Sequence, residues 1–226
     1  MTLPFPLVIA SGNVDKVREI CEIIADTADQ PVGAFALTYG DDTFGFLLDA
    51  PERLAESIAT HRPLVDVPDV EETGSTLEEN ARIKARALGD AIGTLAIADD
   101  TGLEVDALGG APGIYSARYA GAGATYDDNV AKLLRELESA DHRQARFATV
   151  ALARWPDGRE VVRRGEVEGR ISSAPKGDRG FGYDPVFVPV EGDGRTFAEM
   201  TPDEKHSVSH RGRGFRALVT ALVEGD

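Results

Sequence analysis

The stretch Leu95-Ala96-Ile97-Ala98-Asp99-Asp100-Thr101-Gly102-Leu103-Glu104-Val105-Asp106 constrains this chain more than any other. Leu95 to Ala98 reads as a buried strand, and two adjacent carboxylates stand at its end. Gly102 lets the backbone turn without a side chain in the way. Two short strands, Leu95–Ala98 and Leu103–Leu108, are therefore expected on either side of an acidic turn. Adjacent carboxylates at a strand end are a common way to hold a hard cation such as Mg²⁺. Asp-Asp-Thr-Gly is also ordinary turn chemistry, with Asp accepting from nearby backbone N–H groups. The rest of the chain has to choose between these two readings.

The chain has 226 residues, enough for one large domain or two closely joined lobes. Hydrophobic residues make up 42% and charged residues 28%, a balance that folds and does not stay disordered. No apolar run approaches the roughly 20 residues that a membrane span needs. The first residues carry no basic group before their apolar stretch, and Cys21 is the single cysteine. A cytoplasmic protein without a disulfide is expected, with Cys21 a small buried hydrophobe in a helical pattern. The net charge of −15 disfavours nucleic acid as a partner. Residues 1–113 hold 21 Asp+Glu against 7 Lys+Arg, whereas residues 114–226 hold 18 against 17. A metal-binding half and an anion-binding half would divide in this way, and so would a merely solvated acidic surface.

Leu7 to Ala10 reads as a first strand, followed by Ser11-Gly12-Asn13 and a helix from Val14 to Asp29. Val17, Ile20, Cys21 and Ile24 give that helix one apolar face. A strand, a small-residue turn and a helix aim free N–H groups and a positive dipole end at an anion, and Lys16 adds a cation. The spacing of a P-loop is absent. In residues 31–70, Phe35–Tyr39 and Phe44–Leu48 are candidate strands and Glu52–His61 a short helix. His61 has no ligand-spaced partner and reads as a surface residue. Ser75 and Glu78 form a capping box that predicts a helix from Thr76 to Ala91, with Asn80 and Lys84 on one face. Glu72 precedes that cap in a loop. Thr125 and Asp128 predict a second capped helix, Tyr126 to Ser139. Arg146–Trp155 and Arg159–Ile171 read as a hairpin joined at Pro156-Asp157-Gly158.

Gly177 to Pro185 is a glycine-rich loop with Phe181, Tyr183 and Asp184, ahead of a strand at Val186–Val190. Its aromatics can stack on a flat ligand or equally cap a core. Thr201-Pro202-Asp203-Glu204 starts a final helix carrying Lys205, Ser209, His210, Arg211, Arg213 and Arg216. No acid lies between Lys205 and Arg216, and in so acidic a chain this points to an anionic ligand.

Taken in order, these stretches resemble the inosine triphosphate pyrophosphatase (Ham1-like) family of house-cleaning nucleotide hydrolases. The resemblance rests on Ser11-Gly12-Asn13-Val14-Asp15-Lys16, Glu72-Thr73-Gly74, Glu79-Asn80-Ala81 with Lys84, and Ala98-Asp99-Asp100-Thr101-Gly102-Leu103. It continues through Gly109-Gly110-Ala111-Pro112-Gly113-Ile114-Tyr115-Ser116-Ala117-Arg118-Tyr119, Phe181-Gly182-Tyr183-Asp184-Pro185, Glu204-Lys205 and Ser209-His210-Arg211-Gly212. Each piece alone is weak; the ordered set is specific. Residues 31–70 are longer than the family pattern leads one to expect and are read as a family-variable insertion. Gly214-Phe215 departs from an Ala-rich pattern.

The resemblance implies a two-lobed α/β fold, an elongated mixed β-sheet flanked by helices with the active-site cleft between the lobes. It implies a homodimer that hydrolyses ITP, dITP and XTP to the monophosphate and pyrophosphate with Mg²⁺. Carried over by residue, Ser11, Gly12, Asn13, Val14, Asp15 and Lys16 hold the phosphates. Glu72 and Asp100 serve the metal, Asp100 also takes the proton of the attacking water, and Lys84 completes the catalytic set. Thr101, Phe181, Gly182, Tyr183 and Asp184 touch the substrate, and Lys205, His210 and Arg211 read the base. Asp99 is either a further ligand or a supporting group. A nucleotide sensor that had lost hydrolysis would have no need of Glu72, Lys84, Asp99 and Asp100 together.

Overall fold

The computed structural model describes residues 3–39, 42–60 and 70–225. An eight-stranded sheet runs in the order β2-β3-β1-β4-β6-β7-β8, with β5 paired to β4. Its strands are β1 (Leu7–Ile9), β2 (Gly33–Tyr39), β3 (Asp42–Asp49), β4 (Leu95–Val105), β5 (Pro112–Gly113), β6 (Gln144–Arg154), β7 (Glu160–Ile171) and β8 (Phe187–Pro189). The helices are α1 (Val14–Ala28), α2 (Pro51–Thr60), α3 (Leu77–Ile92), α4 (Tyr126–Glu136), α5 (Pro202–Val208) and α6 (His210–Glu224). β1 pairs with β4 in parallel and with β3 antiparallel, so the sheet is mixed. This is the mixed α/β sheet with flanking helices that the family resemblance implies.

The chain divides into two compact units. The first comprises residues 1–100, 150–163 and 214–226, and the second residues 101–149 and 164–213. In the first, Leu7 and Ile9 of β1, Ile20 and Ile24 of α1, Ile97 of β4 and Phe215 and Leu218 of α6 share one apolar core. Phe215, which departed from the family pattern, is fully buried there. In the second, Leu103, Val105, Leu133, Phe147, Phe187 and Phe197 form the core.

The 31–70 segment supplies β2, β3 and α2, close to the strands and helix expected of it, while His61 lies outside the described residues. Two local expectations shift by a residue or more. The cap of α3 is Thr76, whose Oγ1 accepts from Glu79 N (3.1 Å), while the Glu79 carboxylate reaches back to Ser75 N (2.7 Å). Glu78, placed in that box by spacing alone, instead pairs with Arg82 one turn on. α4 keeps the Thr125–Asp128 capping box but stops at Glu136.

Candidate active site

Three turns and strand ends of the first unit gather its charged groups. The loop between β1 and α1 is tied to the helix it precedes. Asn13 caps α1 by accepting from Lys16 N (3.1 Å), and Asn13 N donates to Ser11 Oγ (3.2 Å). Gly12 is fixed by packing: a Cβ there would overlap the carbonyl oxygen of Thr43 on β3. Val14 is exposed at the first turn, and Asp15 pairs with Arg18 at 3.5 Å. Lys16 turns away from solvent, and its Nζ lies 3.5 Å from Asp99 Oδ1.

The acidic turn expected at Asp99–Gly102 is not a turn. β4 runs unbroken from Leu95 to Val105, with Asp99 and Asp100 1% and 6% exposed. Burying a carboxylate is costly unless it is paired, and here each meets a cation. Successive side chains of a strand point to opposite faces, and the two acids accordingly take different partners. Asp99 faces Lys16. Asp100 Oδ1 lies 3.1 Å from Lys84 Nζ, and its Oδ2 accepts from Asn80 Nδ2 at 3.2 Å. Lys84 Nζ also lies 3.0 Å from Glu72 Oε1. Glu72, Lys84 and Asp100 thus converge from a loop, a helix and a strand.

The electrostatics of this cluster follow from burial. Loss of solvent raises the pKa of Asp100 above the usual carboxylate range; Lys84 and Lys16 pull it down, while Glu72 and Asp99 add to the rise. Burial alone would lower the pKa of Lys84, but Asp100, Asp99 and Glu72 outweigh it and hold the ammonium above its ordinary pKa. Glu72 and Asp100 offer an all-oxygen donor set around one positive charge, which suits Mg²⁺. Among the described residues no group of three or more His, Cys, Asp or Glu gathers as a metal cage. Cys21 contributes nothing here: burial, and then Glu22, push its thiol up to about 11.

The second unit gathers cations around an aromatic ring. The final helix expected from Thr201 onward is two helices, broken at Ser209, which is extended (φ −72°, ψ 156°). Ser209 Oγ accepts from Gly212 N at 3.0 Å, and Ser209 O receives the first backbone bond of α6, so this residue caps the second helix. The break sets His210 and Arg211 in the first turn of α6. His210 stacks on Phe147 at 4.5 Å between ring centroids. The Arg211 guanidinium lies 5.4 Å from the Phe181 ring centre and donates to Thr101 Oγ1 at 3.3 Å, and Thr101 in turn meets Thr149 Oγ1 at 2.7 Å.

Lys205, only 4% exposed, binds Asp184 Oδ2 at 2.6 Å and sits 5.2 Å from the same Phe181 ring. Asp184 Oδ2 also accepts from Phe181 N (2.8 Å), which fixes the loop through Gly182. The two aromatics of that loop part company. Phe181 stays half-buried among cations, whereas Tyr183 belongs to the core and donates its hydroxyl to Ser116 O at 2.9 Å.

Sequence reading missed Asn80, Thr149, Phe147 and Phe197 as parts of these clusters. The spacing of Asn80 and Lys84 was the one available signal for the first. The other three read as ordinary strand and loop residues until the fold sets them against Thr101, His210 and Lys205.

The model of the Ham1 family matches residues 7–221. The chain belongs to the Ham1 family. The dITP/XTP pyrophosphatase of Streptomyces coelicolor is 41% identical over 222 residues, covering 96% of this chain and 97% of that protein. Among solved structures, the Ham1 protein of Coxiella burnetii superposes with a TM-score of 0.72 at 38% identity, over 96% of this chain and 98% of that one. The Ham1 protein of Staphylococcus aureus gives 0.71 at 36%, over 97% and 99%. The Ham1 likeness therefore spans both units and every cluster described above.

Proposed function

We propose that this Ham1-family protein is a nucleoside triphosphate pyrophosphatase. It hydrolyses ITP, dITP and XTP to the nucleoside monophosphate and pyrophosphate, removing them from the nucleotide pool. The observation that carries the reading is the convergence of Glu72 and Asp100 on Lys84, in a chain similar over nearly its whole length to a dITP/XTP pyrophosphatase.

Attack at the α-phosphorus forms a bond from the water oxygen to phosphorus and breaks the bond to the bridging oxygen, so that pyrophosphate leaves. Asp100 accepts the water's proton; its buried site makes it a stronger base than a free carboxylate. Lys84 holds Asp100 and Glu72 in place and neutralises them until substrate arrives. Lys16 and the capped N-terminus of α1 receive the phosphates, where N–H groups and the helix dipole favour negative charge. Glu72 and Asp100 would hold Mg²⁺, which when bound supplies the Lewis acid that neutralises charge on the phosphoryl oxygens.

Base choice rests on donors. Lys205 and Arg211 only donate, so the 6-oxo group of hypoxanthine or xanthine satisfies them. The 6-amino group of adenine would leave buried cations facing donors, a strong ground for rejection. Phe181 gives the base a flat face, and Asp184 keeps Lys205 aimed. The reading carries with it a homodimer, which light scattering would show at twice 24.1 kDa. Hydrolysis of ITP in ¹⁸O-water tests the chemistry. Label in the monophosphate supports attack at the α-phosphorus, and label in the pyrophosphate refutes it.

A further inference from the structure

Asn80 is wholly buried on α3 and bound at both ends of its carboxamide. Its Oδ1 accepts from Gly74 N at 2.8 Å, and its Nδ2 donates to Asp100 Oδ2 at 3.2 Å. The backbone N–H can only donate, so the carboxamide has one possible orientation: oxygen toward Gly74, NH₂ toward Asp100. The loop side is equally constrained. A Cβ at Gly74 would come within 2.6 Å of Asn80 Oδ1 and 2.7 Å of Glu79 Cβ, so only glycine lets the backbone approach the amide. Glu72 sits two residues before Gly74 on the same loop, and Lys84 one turn after Asn80 on the same helix.

We infer that Asn80 is a positioning residue that couples the Glu72-Thr73-Gly74 loop to Asp100 and so sets the spacing and aim of the two carboxylates. Lys84 binds one oxygen of Asp100 and Asn80 the other, and together they fix the plane of the carboxylate in β4. The Gly74 bond then transmits the position of the Glu72 loop to the same carboxylate. This rests on Asp100 being the working carboxylate of the proposed pyrophosphatase.

The test compares Asn80→Ala, Gly74→Ala and the double variant with the wild type. Readouts are ITP turnover, Mn²⁺ titration followed by electron paramagnetic resonance, and thermal melting. Removing a group that orients a metal-site carboxylate costs about 10–100-fold in activity or metal affinity, and each single variant is expected to lose that much in kcat and in Mn²⁺ affinity. KM for ITP stays at the wild-type value, since the lost interaction serves the reacting centre and not ground-state binding. The double variant is no worse than Asn80→Ala, because both changes break one chain of contacts. Asn80→Leu, which keeps the side chain's bulk and removes both of its hydrogen bonds, answers the question if Asn80→Ala does not fold.

A folded Asn80→Ala protein with wild-type kcat and Mn²⁺ affinity overturns the inference, as do losses that add in the double variant. A wild type that releases no pyrophosphate from ITP overturns the functional reading instead, and the Mn²⁺ titration then still decides the role of Asn80.

Discussion

Asp100 is held by a lysine on one oxygen and an amide on the other, in a strand where a bare carboxylate would be costly. Asp100→Asn keeps the shape and removes the carboxylate proposed as the base. Pyrophosphate release should fall by about 10²–10⁴-fold, the usual worth of a general base, while nucleotide binding remains measurable by calorimetry. An active variant would remove Asp100 from that role. Lys205 and Asp184 form a pair in which each side chain is only 5% exposed. Lys205→Met should destabilise the fold by about 3–5 kcal/mol in urea melts, because it strands a buried carboxylate, and should narrow the preference for ITP over ATP. Adding Asp184→Asn should restore much of the stability but none of the selectivity. Unchanged selectivity in Lys205→Met would contradict the account of base choice. Glu72, Lys84 and Asp100 were legible in the sequence because their motifs are. Asn80 shared a motif and a helix face with Lys84, but its role was not legible, since its partner lies 20 residues on.

At the scale of elements, most helices and strands followed from periodicity and caps, and the errors came where side chains overrode local propensity. Asp-Asp-Thr-Gly has turn composition, yet β4 continues through it because Lys16, Lys84 and Asn80 satisfy the acids and Thr149 meets Thr101. Those partners lie far off in sequence, so no local pattern announces them. The run from Lys205 to Arg216 has helical composition throughout, yet Ser209 breaks it by capping α6. Ser209→Ala should cost about 1 kcal/mol in thermal or urea unfolding, and Ser209→Gly only a few tenths. If the break also aims His210 and Arg211, as their contacts indicate, Ser209→Ala lowers the ITP-to-ATP ratio. Wild-type stability and selectivity together would mean that the break is incidental.

At the scale of the whole molecule, two apolar cores carry two kinds of chemistry, each assembled within its own unit. The first unit concentrates acid and holds the carboxylate–lysine cluster; the second carries the aromatic ring flanked by Lys205 and Arg211. The charge asymmetry of the sequence, with its acid excess before residue 114, does not by itself show which acids are buried. The core of the second unit underlies its cationic cluster directly, since Phe147 packs on Phe187, Phe197 and His210. Phe147→Ala should cost about 3–5 kcal/mol of stability and weaken discrimination between bases. A loss of stability with intact discrimination would separate that core from base recognition.

The central claim is tested most directly by incubating the purified protein with ITP, XTP, GTP, ATP and UTP, with and without Mg²⁺, and measuring the phosphate product. Pyrophosphate from ITP and XTP in the presence of Mg²⁺, with GTP, ATP and UTP left intact, is the predicted result. Orthophosphate as the primary product, or no turnover of ITP with Mg²⁺ present, would contradict it.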